Sequence, residues 1–326
     1  MNKKLIFVFI VVSLFLIGCD GKDKDNRPIT DVDIRKGTVG LTMQFVQNAP
    51  PERIFEDSIF PIAVELKNKG AFDIGDDEGI LVFGFEKTYV DFAEDAKIEF
   101  GSNEELRFGI DGKSVVSPEG NDELVTISGQ AKSVGPQSET HPSTILATVC
   151  YPYETVFGSS VCVDTDVYDI EKEQKVCSIQ DLIFEGGQGA PVAVTKIETR
   201  MLLQDDNKVK PHFIIYVKNK GNGEVVDLDK IKNVCSSEKL EYTDFNTLVV
   251  SASLSGVPLK CGEEEGEGPA TIRLRDKEDI IRCTLEEGGG IDATKGAYTA
   301  PLRIEFDYGY TFTISKDIII EKILTY

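Results

Sequence analysis

One eleven-residue stretch of this chain occurs twice. Phe60-Pro-Ile-Ala-Val-Glu-Leu-Lys67-Asn68-Lys69-Gly70 lines up with Pro211-His-Phe-Ile-Ile-Tyr-Val-Lys218-Asn219-Lys220-Gly221, 151 positions later. Toward the other end, Leu146-Ala-Thr-Val-Cys-Tyr151-Pro-Tyr153-Glu-Thr lines up with Arg303-Ile-Glu-Phe-Asp-Tyr308-Gly-Tyr310-Thr-Phe, 157 positions later. Order is kept and the two offsets differ by only six residues. A duplication of one whole domain with small loop insertions gives that pattern, whereas a solenoid would repeat at a far shorter period.

Each copy reads as short strands between turn signals. In the first these are 39–46, 59–68, 80–85, 124–131 and 144–155; in the second, 192–203, 212–219, 247–254, 270–274 and 301–314. Ile62, Val64 and Leu66 alternate with Ala63, Glu65 and Lys67, the period of a strand buried on one face. Tyr308, Tyr310, Phe312 and Ile314 alternate in the same way. Asn-Lys-Gly supplies the turn, with glycine free to take positive φ. Strands of this kind and spacing predict an all-β chain of two tandem antiparallel sandwiches.

The Val/Leu-Lys-Asn-Lys-Gly strand and turn, followed by a second apolar strand, resembles the immunoglobulin-like domains of archaeal and bacterial surface proteins, the cell-adhesion-related domain among them. The resemblance covers roughly 37–163 and 190–326 and implies two immunoglobulin-like β-sandwiches. The chain has no Trp, so the buried Trp of antibody-type domains has no counterpart. The segment from Cys150-Tyr-Pro-Tyr to Cys162, and Gly186-Gly-Gln-Gly-Ala-Pro-Val192, also look like segments of archaeal surface lipoproteins.

Residues 1–18 carry Lys3 and Lys4 and then an apolar run from Leu5 to Ile17. That is the layout of a secretory signal, and the run is short of the ~20 residues of a spanning helix. Leu16-Ile17-Gly18-Cys19 resembles the lipobox of prokaryotic lipoproteins. The resemblance implies a diacylglycerol on Cys19, cleavage before it, and export to the outer face of the cell membrane. Residues 19–36, charged and without apolar periodicity, read as a flexible tether. Residues 164–189 read as a linker between domains, which makes the second domain membrane-distal.

Seven cysteines less Cys19 leave six: Cys150, Cys162, Cys177, Cys235, Cys261 and Cys283. An even number in an exported chain predicts three disulfides. Sequence allows many connectivities. The expected set is Cys150–Cys162 across a terminal hairpin of domain 1, Cys261–Cys283, and Cys177–Cys235. A turn centred near Val156 would bring Cys150 and Cys162 together, and a turn near Ser159 would separate them.

With 56 acidic against 35 basic side chains, the chain lacks the clustered positive charge that nucleic acid requires. No Gly-x-Ser-x-Gly, phosphate loop or CxxC pair occurs, and His141 and His212 are the only histidines; no catalytic residue or enzyme activity is expected. Three acidic clusters stand out: Asp73/Asp76/Asp77/Glu78, Asp164/Asp166/Asp169 and Glu263/Glu264/Glu265/Glu267. Calcium takes several oxygen ligands on a loop, and Asp164, Asp166 and Asp169, entering the linker, are the best-placed candidates for a structural calcium. No other cofactor is expected.

Two functions fit. One is a lipid-anchored structural or interaction protein that presents a surface to a protein or polysaccharide at the cell envelope. The other is a non-catalytic substrate-binding or accessory lipoprotein of a membrane complex, with a cleft near Gly186–Pro191.

Overall fold

The computed structural model describes residues 30–93, 105–170, 174–205, 207–236, 238–262, 269–286 and 289–323. The signal-like run, Cys19 and the Glu263/Glu264/Glu265/Glu267 cluster lie outside them. The first copy contributes β1 (Leu41–Phe45), β2 (Arg53–Phe55), β3 (Ile59–Asn68), β4 (Ile74–Gly84), β5 (Val90–Phe92), β6 (Glu105–Ile110), β7 (Asp122–Ala131) and β8 (Thr140–Asp164). After β9 (Leu182–Ile183) follow β10 (Val192–Gln204), β11 (Lys208–Asn219), β12 (Glu224–Val226), β13 (Thr247–Leu254), β14 (Val257–Cys261), β15 (Ala270–Arg273), β16 (Glu278–Leu285), β17 (Ile291–Asp292) and β18 (Ala297–Glu321). Helices are minor: α1 (Asp31–Ile34) and α2 (Ile231–Cys235). Pairing among the described residues is antiparallel except between β2 and the end of β18. The chain is all-β.

The repeat is visible as topology. In the first copy β3 lies between β1 and β7, and in the second β11 lies between β10 and β16. β4 pairs with β8 as β13 pairs with β18. Alternation sets the faces: Ile62, Val64 and Leu66 are fully buried in β3, as are Phe213, Ile215 and Val217 in β11. Each such side chain contributes roughly 1.5–3 kcal/mol relative to exposure.

Where two separate bodies were expected, residues 31–326 form one compact unit. The join is β8 with β18, each 25 residues long and paired without a register break from Asp164↔Ala297 to Thr140↔Glu321. One cluster of buried residues includes members of both copies. Residues 164–189, read as a linker, are built in: they supply β9 to the edge of β10 and Cys177 to a disulfide.

This pairing corrects two of the three expected bridges. Gly158-Ser159-Ser160 looks like a turn, but Arg303, Leu302 and Pro301 run opposite and hold it extended. Cys150 and Cys162 therefore stand twelve residues apart on one strand, roughly 40 Å at ~3.3 Å per residue, far beyond the ~7 Å limit on Cα separation. Cys150 instead bonds Cys235 on α2 (Cα–Cα 6.0 Å), and Cys162 bonds Cys177 (5.8 Å). Cys261–Cys283 forms as expected, at opposed positions of β14 and β16.

Candidate functional site

Pro152 faces Gly309, its own equivalent in the repeat, and so marks a local two-fold axis between β8 and β18. On either side Tyr151 opposes Tyr310 and Tyr153 opposes Tyr308. The four rings are buried and lie 5.7–6.3 Å apart between neighbouring centroids, two pairs edge to face and two tilted. That is the favoured aromatic arrangement. Burial raises the pKa of all four hydroxyls, that of Tyr310 to about 12.

The Asn-Lys-Gly turns are anchored on this quartet. Tyr153 Oη donates to Asn68 Oδ1 at 3.2 Å, which also accepts from Gly70 N–H at 3.1 Å, while Asn68 Nδ2 donates to Phe72 O at 2.7 Å. Tyr310, Asn219, Gly221 and Gly223 repeat the set at 3.2, 3.0 and 3.0 Å. Gly70 and Gly221 are required by space, because a Cβ on either would overlap the tyrosine hydroxyl. The turn and the alternating rings are legible in the sequence, but their bond is not. Its trace there is the recurrence of Tyr-x-Tyr and Asn-Lys-Gly, once in each copy.

The symmetry breaks beside the quartet. By the second copy runs an open cleft of about 690 Å³, lined by Thr38–Met43, Tyr151, Pro191, Lys220–Glu224 and Tyr310–Ile314. The equivalent space in the first copy is filled. There Thr155 donates to Val192 O (2.9 Å) and accepts from Tyr308 Oη (2.9 Å), and Phe184 packs edge-on against Phe157 at 4.7 Å. Phe72 packs against Tyr153 at 5.5 Å. In the cleft, Phe312, Ile314 and Gly223 occupy the places of Thr155, Phe157 and Phe72. Thr155 and Phe157 are buried, and Phe312 and Ile314 are half-buried. Tyr151 Oη is buried and completes no hydrogen bond among the described residues; the Leu41 N–H lies beside it, short of full hydrogen-bond geometry.

Asp164, Asp166 and Asp169 do converge, but on a lysine. Lys175 Nζ lies 2.8, 3.4 and 2.8 Å from their carboxylates, delivered there by the Cys162–Cys177 loop. Hydrogen bonds to Asp164 and then Asp169 raise its pKa, so an ammonium stands among the oxygens a calcium ion would use. Among the described residues no group of three or more His, Cys, Asp or Glu is arranged to hold a metal. In the Asp73 cluster, Asp73 accepts from Gly112 N–H and Glu78 from Gly75 N–H. His141 stacks on Tyr89 and meets Glu86 at 3.1 Å. His212 is a β11 residue opposite Thr284, its pKa lowered by burial and then by Arg282 and Lys210.

No protein-family model matches the chain, and no curated protein does. Among solved structures it is similar to a secreted serine protease, VesC, from Vibrio cholerae, with 10% identity and a TM-score of 0.21. That alignment covers 82% of this chain and 50% of the protease, so the chain spans about half its length. The C-terminal domain of the Streptococcus pyogenes antigen I/II-family protein AspA aligns over 87% of this chain and all of its own, with 8% identity and a TM-score of 0.17. At these scores neither likeness extends to fold or activity.

Proposed function

We propose that this chain is an exported, non-enzymatic interaction protein, held by a lipid on Cys19 to the outer face of a cell membrane. Its body is a fused pair of immunoglobulin-like sandwich units. The observation that carries this reading is the cysteine pattern. All six cysteines of the folded body are paired, which suits an oxidising compartment, and Cys19 is the single cysteine left over for acylation. Two acyl chains, at ~0.8 kcal/mol per buried CH₂, anchor durably. The test is expression of the wild-type chain and Cys19→Ser in a lipoprotein-processing host. The wild type should partition with membranes and incorporate labelled fatty acid. Cys19→Ser should do neither, and a variant that stays fully membrane-bound overturns the anchor.

A second reading, a substrate-binding or accessory lipoprotein, is favoured by the cleft at Pro191. It mixes apolar walls (Leu41, Met43, Phe312, Ile314) with polar ones (Thr38, Asn222, Glu224), the composition of a recognition site rather than of a packing defect.

A further inference from the structure

The filled and open spaces beside the tyrosine quartet differ in how the neighbouring strand edge is satisfied. On β10 the backbone groups turned away from β11 are taken up in succession. Val192 N–H donates to Tyr308 Oη and Val192 O accepts from Thr155. The Gln188 amide bonds both Val194 N–H and Val194 O. Thr195 O accepts from Phe184 N–H, and β9 then pairs with Lys196 and Ile197.

The equivalent strand of the first copy, β1, has no such cover. Lys69 N–H donates to Gly40 O, and Val46 N–H to Ala63 O. Even-numbered residues therefore face β3, and antiparallel geometry turns the N–H and C=O of Leu41 and Met43 the other way. On that side Leu41 N–H is turned to the Tyr151 hydroxyl, a contact short of full hydrogen-bond geometry, and among the described residues no hydrogen bond meets Leu41 C=O or the N–H and C=O of Met43. Both line the cleft, with Tyr151. An edge strand with unpaired N–H and C=O groups is a ready template for pairing with another chain.

We propose that β1 accepts an extended segment of another protein as an added strand, taking the role that the stretch from β9 to Gln188 plays toward β10. Main-chain bonds to Leu41 and Met43 give affinity and alternate side chains give selectivity. An apolar residue of the segment covers Ile314 as Phe184 covers Phe157. The formal charge of −21 disfavours a second copy as donor and favours a segment with basic flanks. This inference rests on the reading of the chain as an interaction protein. Peptide binding is measured without a membrane, so failure of the anchor leaves it untouched.

The probe is a synthetic peptide of the Ser178–Gly187 sequence with two lysines added at each end, titrated into the full chain. Binding should slow amide exchange at Leu41 and Met43. Just past β9 the Phe184 N–H donates to Thr195 O, and antiparallel alternation turns the Ile183 N–H away. N-methylation at the Phe184 position should therefore weaken binding about tenfold, and at Ile183 less than about twofold. The proposal is overturned by no binding at millimolar peptide, by protection elsewhere, or by equal effects of the two methylations. Any of these leaves open a cleft that takes a small solute, and so leaves the broader interaction reading standing.

Discussion

Tyr151 and Tyr310 face each other across the β8–β18 register with ring centroids 5.9 Å apart, and only Tyr310 has its hydroxyl bonded. Tyr310 accepts from Gly223 N–H at 2.9 Å and donates to Asn219; Tyr151 completes no bond. Removing one oxygen atom from each separates the two cases. Tyr310→Phe leaves Gly223 N–H without its acceptor and should cost about 1–3 kcal/mol, whereas Tyr151→Phe removes an unsatisfied buried hydroxyl and should be neutral or stabilising. Urea denaturation of both variants checks this, and equal losses would refute the assigned bonding.

Asn68 and Asn219 each join a turn to a core tyrosine through both ends of the amide. Alanine at either position leaves several buried groups unpaired and should cost roughly 2–4 kcal/mol. Asn68 Nδ2 also donates to Ile110 O at 3.1 Å, a bond Asn219 lacks among the described residues, so thermal unfolding of the two single variants should show the larger loss at Asn68.

Alkaline pH should unfold the protein steeply. The four quartet tyrosines have folded pKa values above the ordinary value, through burial. Between about pH 10 and 12 the unfolded chain releases these protons while the folded chain keeps them, so stability falls as pH rises. Each tyrosine adds about 1.4 kcal/mol per pH unit to that slope, and none contributes below about pH 9. Denaturant midpoints at pH 9, 10 and 11, with phenolate absorbance, measure it. Smooth titration of all ten tyrosines near pH 10 with no unfolding would contradict it.

The strands that lead into the Asn-Lys-Gly turns, β3 and β11, were legible because their cause is local. Ile62, Val64 and Leu66 alternate within five residues, and Asn68 and Gly70 end the run. The length of β8 was not legible. Gly158-Ser159-Ser160 signals a turn, and what overrides it is β18, more than a hundred residues away. The wrong partners for Cys150 and Cys162 follow from that single missed pairing. Asp164, Asp166 and Asp169 stand out in the sequence as an acidic cluster and suggest calcium; the structure sets Lys175 among them. That cation was missed because Lys175 reaches the cluster only through the Cys162–Cys177 loop.

Peptide mapping without reduction should link Cys150 to Cys235, Cys162 to Cys177, and Cys261 to Cys283. Their loops of 85 and 15 residues give the first two bridges unequal weight. On chain-entropy grounds, paired serine replacements should cost about 4.5 kcal/mol for Cys150–Cys235 and about 3 kcal/mol for Cys162–Cys177. A linked Cys177–Cys235 peptide would contradict the fold at β8.

With Lys175 among the three aspartates, millimolar calcium or chelator should leave the melting temperature of the wild type unchanged. Lys175→Ala leaves the carboxylates to repel one another. That variant should gain a calcium-dependent rise of a few degrees, read by differential scanning fluorimetry. A calcium response in the wild type with none in the variant would reverse the assignment.

The β8–β18 pairing has the form of a dimer contact written into one polypeptide. Two identical subunits meeting on a two-fold axis must present every groove twice, and whatever seals one seals the other. A single chain holding both copies is released from that rule. Thr155 and Phe184 close one side here, while Phe312 and Ile314 leave the other open. Covalent fusion lets one half become scaffold and the other stay receptive.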